Sequence, residues 1–181
     1  MLVFTDPDRT PDLQALATAL PEGSGLVYRH FGTDDALEQA HRLRRLTRDA
    51  GALLLIGADH RLADAVDADG LHLPERLAHR LPRILSRRPA WYVTAAAHSP
   101  AAGRRGLRLG ADAVVVSTLF ASASPSAGDP IGAIAFKRLI RRLDGPVYAL
   151  GGVNMQTIAE LRGSGAVGVA VVGAASAAGA S

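Results

Sequence analysis

Residues 52–73, ALLLIGADHRLADAVDADGLHL, decide the reading of the fold. An apolar run, Ala52–Ile56, shows no alternation of polar and apolar positions, the pattern of a strand buried on both faces. A polar break follows, then two turns of helical pattern around Leu62–Val66, then a second apolar run, Gly70–Leu73. Working outward, the same unit recurs. Runs stand at Leu2–Thr5 and Leu26–Arg29 before it, and at Trp91–Thr94, Ala113–Val116, Val147–Leu150 and Val169–Val172 after it. Eight runs at intervals of about 24 residues describe a compact strand–loop–helix period.

The segments between the runs read as helices. Thr33 is placed to cap a helix with Asp34 and Asp35 in its first turn and a stripe of Ala36, Leu37, Ala40, Leu43 and Leu46, with Gly51 at its end. Ile131, Ile134, Ala135, Leu139, Ile140 and Leu143 form a second stripe, stopped by Gly145-Pro146, and Asn154 is placed to cap a helix through Ile158 and Leu161. Eight such units predict a compact (β/α)8 TIM barrel, an α/β fold. The rival is an open doubly wound sheet, which seldom needs eight strands in 181 residues. No linker divides the chain, so residues 1–181 are expected to form one domain, with 174–181 a frayed tail.

Composition narrows the function classes. Hydrophobic residues make up 48% and charged residues 20%, which excludes disorder. The absence of cysteine removes disulfides, zinc-thiolate sites and thiol nucleophiles together. No apolar stretch has the length of a membrane span and the amino end lacks a secretory pattern, so a cytoplasmic protein with no membrane partner is expected. Nineteen of the 20 basic residues are Arg, clustered on predicted helices as solvated faces. With aromatics at 4% and no readout motif, no nucleic-acid partner is expected.

In a barrel of this kind chemistry gathers at the carboxyl ends of the strands. Those ends carry Asp6, Arg29, Asp59, His72 and His98, the serine-rich segment 117–126, and the glycines of LGGV (Leu150–Val153) and VVGAAS (Val171–Ser176). Gly151, Gly152, Gly173 and Ala174 after the last two strands let backbone N–H groups approach an oxyanion, the usual phosphate position. The plain alternative is that they only make tight turns. Ser122 and Ser124 either donate to the same phosphoryl group or belong to a surface loop. Arg29 in a barrel mouth needs an anion to answer it. A lone histidine serves packing more often than chemistry, and His72 and His98 are read against that background.

These blocks, TDP (Thr5–Pro7), Arg29, ADGLHL (Ala68–Leu73), AAAHS (Ala95–Ser99), LGADAVVVS (Leu109–Ser117), ALGGVN (Ala149–Asn154) and GVAVVGA (Gly168–Ala174), resemble the thiamine phosphate synthase and thiazole tautomerase superfamily almost end to end. The resemblance implies a (β/α)8 barrel and a transferase of thiamine biosynthesis. In that reaction a thiazole phosphate captures an aminopyrimidine as pyrophosphate leaves, with Mg2+ as cofactor. The family's Gln-x-Arg-x-Lys falls on Val27, Arg29 and Phe31, and its Asn-Asp pair falls on Gly57 and Ala58, with Asp59 one place later. Its second magnesium aspartate falls near Leu77, its fifth-strand serine on Ala96, and its Thr-x-Thr-Lys on Ser122, Ser124 and Pro125. The tautomerase histidine falls on Thr118. The resemblance therefore implies a kept phosphate rim and a magnesium and pyrophosphate grip that is mostly replaced. Arg29, Asp59 and His98 are the catalytic candidates, the metal ligands are left unassigned, and the expected partner is a small-molecule phosphate ester, with a homo-oligomer left open. An isomerase or tautomerase acting on a small phosphorylated heterocycle, and a non-catalytic binder of thiazole phosphate or thiamine phosphate, are the alternatives.

Overall fold

A computed structural model describes residues 1–122 and 128–173. Eight strands run β1 (Leu2–Phe4), β2 (Gly25–Tyr28), β3 (Leu53–Gly57), β4 (Gly70–Leu73), β5 (Tyr92–Ala97), β6 (Ala113–Val116), β7 (Val147–Leu150) and β8 (Gly168–Val172). All pair in parallel, each with its sequence neighbour, and β8 returns to β1 through Leu2↔Ala170 and Phe4↔Val172. The sheet is a closed barrel; the open alternative does not occur. Between the strands lie α1 (Leu13–Thr18), α2 (Ala36–Asp49), α3 (His60–Ala65), α4 (Leu81–Arg87), α5 (Pro100–Arg108) and α6 (Gly132–Ile140). The expected tail, 174–181, lies outside the described residues.

Period-2 alternation sorts each strand between two cores. Leu2, Phe4, Val27, Leu55, Val115 and Ala170 point inward and fill the barrel with Tyr92 and Tyr148. Leu26, Leu54, Leu71, Val93, Val114 and Val147 point outward, buried between strands and helices. The two faces explain why no run alternates in hydropathy. One inward position tolerates nothing but glycine: a Cβ on Gly70 would lie 1.9 Å from the Tyr92 carbonyl oxygen.

Two aspartates one residue ahead of a strand stitch the ring. Asp69 accepts the Leu54 N–H at 2.8 Å and donates its own N–H to the Leu54 carbonyl at 2.9 Å. Asp112 does the same with Val93, at 2.7 and 2.8 Å. Asp69 also pairs with Arg44 of α2 at 2.5 Å, which ties a helix to the seam. The Ala-Asp steps of ADGLHL and LGADAVVVS are therefore strand-registering devices.

The helices differ from the sequence reading in four places, two in their bounds and two in the face they bury. The helix expected from Thr33 starts at Ala36, and Thr33 contributes its carbonyl to the Ala36 N–H, not its hydroxyl. Phe31 and Gly32 both have positive φ and turn the chain before a helix can begin. Leu37, expected in the stripe, is 50% exposed, and Thr47 takes the buried place one turn beyond Leu43. In α6 the phase is set by Phe136, fully buried with Leu139, Ile140 and Leu143, which leaves Ile134 71% exposed and Ala135 at the surface. The helix expected after Asn154 is a 3-10 turn over Ile158–Leu161, although Asn154 does cap its approach by accepting from the Gln156 and Thr157 N–H groups.

Gly70→Ala is expected to cost about 3 kcal/mol or prevent folding, because the new methyl has only backbone to displace. Gly128→Ala, with nothing near its Cβ position, is expected to stay within about 0.5 kcal/mol. Chemical denaturation of the two variants measures both.

Candidate functional site

The β7 turn supplies the first element of a site. Gly151 and Gly152 have φ of 99° and 63°, the left-handed region that side chains rarely adopt. A Cβ on Gly152 would lie 2.4 Å from the Ala121 carbonyl oxygen, so the loop after β6 lies directly on the turn. Leu119 and Phe120 donate to the carbonyls of Leu150 and Gly151, at 3.0 and 2.9 Å, and fix that approach. Among the described residues, the Gly152 and Val153 N–H groups have no backbone partner. They border a cavity of about 700 Å³, lined also by Ser122, Asn154, Val172 and Arg9. The cavity continues over the outer face of β8, past Val169 and Val171.

One of the expected cradle members is placed differently from the rest, and two lie outside the described residues. Gly173 donates its N–H to the Phe4 carbonyl at 2.9 Å, so its amide closes the barrel. Its contribution at the rim is a missing side chain, since a Cβ there would stand 2.8 Å from the Arg9 carbonyl oxygen. Ala174 and Ser124 lie outside the described residues. Arg9, in the loop after β1, was not among the sequence candidates. Its backbone and Cβ pack against Gly173, and it lines the cavity together with Gly151 and Gly152. Its only signal in the sequence is its position past the end of a strand.

Arg29 stands at the barrel mouth, and its anion is intramolecular. Its Nε donates to the Thr5 carbonyl at 2.7 Å, its Nη2 pairs with Asp6 at 3.2 Å, and its backbone N–H donates to the Thr5 hydroxyl at 2.9 Å. The guanidinium stacks between Phe4 and Phe31, 5.6 and 5.1 Å from the ring centres. Burial pulls its pKa down, Asp6 opposes that, and the charge of Arg9 adds to the lowering. Gly57 leaves room for the side-chain stem: a Cβ there would meet Arg29 Cγ at 3.1 Å.

His72 lies deeper, its Nδ1 2.9 Å from the Thr94 hydroxyl and its ring edge-on to Phe4 at 4.8 Å. Burial, with the Arg29 charge added, pulls its pKa from 6.5 down to about 3. It is a neutral imidazole at any physiological pH.

The other two catalytic candidates sit in separate groups. Asp59 caps α3, accepting the Arg61 and Leu62 N–H groups at 3.0 Å, and faces His30 at 3.5 Å. His98 donates its backbone N–H to Glu75 at 3.0 Å and meets the same carboxylate through Nδ1 at 2.9 Å, while Arg105 of α5 approaches from the other side at 3.4 Å. Burial raises the pKa of Glu75, but the His98 hydrogen bonds and the His98 and Arg105 charges prevail and hold it below the ordinary value. Among the described residues no hydrogen bond or ion pair joins Arg29 to Asp59 or to His98. No group of three His, Asp or Glu side chains is disposed to hold a metal ion among them either. Gly57, Ala58 and Leu77 offer no side-chain oxygen, and the described donor set does not fit a magnesium ion, which asks for several oxygens.

The model of thiamine monophosphate synthase matches residues 1–175. The chain belongs to the thiamine monophosphate synthase family. It is 35% identical to a thiamine-phosphate synthase of Chloroflexus aurantiacus over 149 residues, 81% of this chain and 68% of that one. It is 37% identical to a thiamine-phosphate synthase of Methanoculleus marisnigri over 144 residues, 77% of this chain and 67% of that one. Among solved structures, a thiamine phosphate pyrophosphorylase of Pyrococcus furiosus superposes with a TM-score of 0.81 at 25% identity, over 94% of this chain and 84% of that one. The family is one of transferases that handle small phosphorylated molecules, and no described helix is long and apolar enough to cross a membrane.

The depressed pKa of His72 carries a pH prediction. Above pH 6.5 the folded and unfolded chains both hold a neutral imidazole, so this group adds no pH dependence. As pH falls from 6.5 toward 3 the unfolded chain takes up a proton that the folded chain refuses, and stability falls by about 1.4 kcal/mol per pH unit from this group. His72→Gln is expected to remove that part of the slope in denaturation midpoints measured across the window. An unchanged slope contradicts the buried neutral state.

Proposed function

We propose that the chain is a transferase of the thiamine phosphate synthase type that anchors the thiazole phosphate on the β7 turn. The observation that carries this reading is the Gly151-Gly152 turn, where the Gly152 and Val153 N–H groups have no backbone partner among the described residues and border a cavity that Arg9 and Ser122 also line. Backbone donors and one guanidinium suit a single phosphoryl group. The thiazole nitrogen then forms its bond to the aminopyrimidine methylene carbon as the carbon–oxygen bond to pyrophosphate breaks and the electron pair leaves with pyrophosphate. In the family magnesium offsets the charge that builds on that leaving group.

Here Arg29 is the matched cation, and Asp6 already neutralises it in part. Preorganised charge aimed at the leaving group dominates catalysis of this kind. Neutralised cations and missing carboxylates therefore fit slow pyrophosphate release and intact phosphate binding. The second reading, a non-catalytic binder of thiazole phosphate or thiamine phosphate, is favoured by the same three positions, Gly57, Ala58 and Leu77. Pyrophosphate release from the two synthase substrates separates the two, with calorimetric titration of thiamine phosphate in and out of Mg2+. Turnover supports the transferase. Magnesium-independent binding without turnover supports the binder, and no binding of the phosphate ester refutes both. Arg9→Gln is expected to weaken thiamine phosphate binding about tenfold without lowering the melting temperature.

A further inference from the structure

Between α3 and α4 lies a second groove of about 570 Å³, which shares no lining residue with the rim cavity. Five of its nine lining residues are arginine, with His60, Asp64, Ile84 and Trp91. Arg80, Arg83 and Arg87 fall on one face at i, i+3 and i+7, spread over about 10 Å of helix. Arg61 of α3 faces them. Among the described residues none of these four guanidiniums has a carboxylate within ion-pair distance. The one acid in the groove, Asp64, is taken by Arg88 at 2.6 Å. Arg88 in turn lies over Trp91, 5.6 Å from the ring centre, and both line the groove.

Four unanswered like charges around one concavity repel each other and focus a positive potential into it. The guanidinium fork matches phosphate oxygens two at a time, and a linear row of forks matches a linear row of phosphates. The volume is that of a small-molecule site. We propose that this groove binds a linear oligophosphate, two or more linked phosphoryl groups as carried by nucleoside di- and triphosphates. It is separate from the rim cavity and does not rest on the function proposed for that cavity.

Trp91 is the single tryptophan of the chain, so its fluorescence reports on this groove alone. The experiment is calorimetric and fluorescence titration of the full chain with tripolyphosphate, ATP and AMP in magnesium-free buffer. Tripolyphosphate and ATP are expected to saturate, with AMP at least about tenfold weaker. Equal affinity of the first two assigns the site to the phosphate chain alone, whereas tighter ATP with a change in Trp91 emission assigns it to a nucleotide. The exposed pair Arg83→Glu/Arg87→Glu is expected to weaken binding at least about tenfold, and Arg83→Gln/Arg87→Gln to a lesser degree. Arg138→Glu/Arg142→Glu, with the same charge change near α6, is expected to leave it within about twofold. Absent saturation at low salt, equal loss in the α6 variant, or loss in Arg9→Gln instead of the groove variants overturns the proposal.

Discussion

Eight strands of three to six residues make a ring only if the last pairs with the first, and the contacts that close it also build the rim. Gly173, one residue past β8, gives its N–H to Phe4 of β1 and lets the Arg9 backbone sit where a side chain would stand. Closure thus sets the loop after β1 beside the β7 and β8 turns. Arg29 joins the same assembly from β2 through Thr5 and Asp6. The cavity at the rim is a consequence of that seam.

The sequence made the strands legible because burial on both faces leaves uninterrupted apolar runs, and three of the eight, at Gly70, Ala113 and Val147, begin and end as read. The helices were less legible. A stripe such as Ile131, Ile134 and Ala135 satisfies helical spacing in more than one phase, and the larger Phe136 settled the phase by filling the space beside Leu139 and Leu143. At the amino end of α2, two consecutive left-handed residues consumed the turn in which Thr33 would have capped.

The candidate site shows a similar division. The glycines after strands seven and eight are readable because a left-handed turn at a strand end admits few other residues. Individual polar residues are not, since type and position do not reveal the partner. Asp59 could equally have been a ligand or a cap, and two N–H groups of α3 claim it. Arg29 called for an anion, and Asp6, read at a strand end and in the TDP block but not as its partner, supplies it. His98 belongs with Glu75 and Arg105, a carboxylate and a helix arginine far from it in the sequence. Arg9 was missed because nothing in its neighbourhood repeats or periodically marks it.

The account rests on unpaired amides at the β7 turn receiving a phosphoryl group. Backbone amide chemical shifts followed by NMR during titration with thiamine phosphate test it most directly. The account predicts that the largest displacements fall on Gly152 and Val153, with smaller ones at Ser122 and Arg9. Displacements concentrated on residues remote from that turn, or none at saturating ligand, would contradict it.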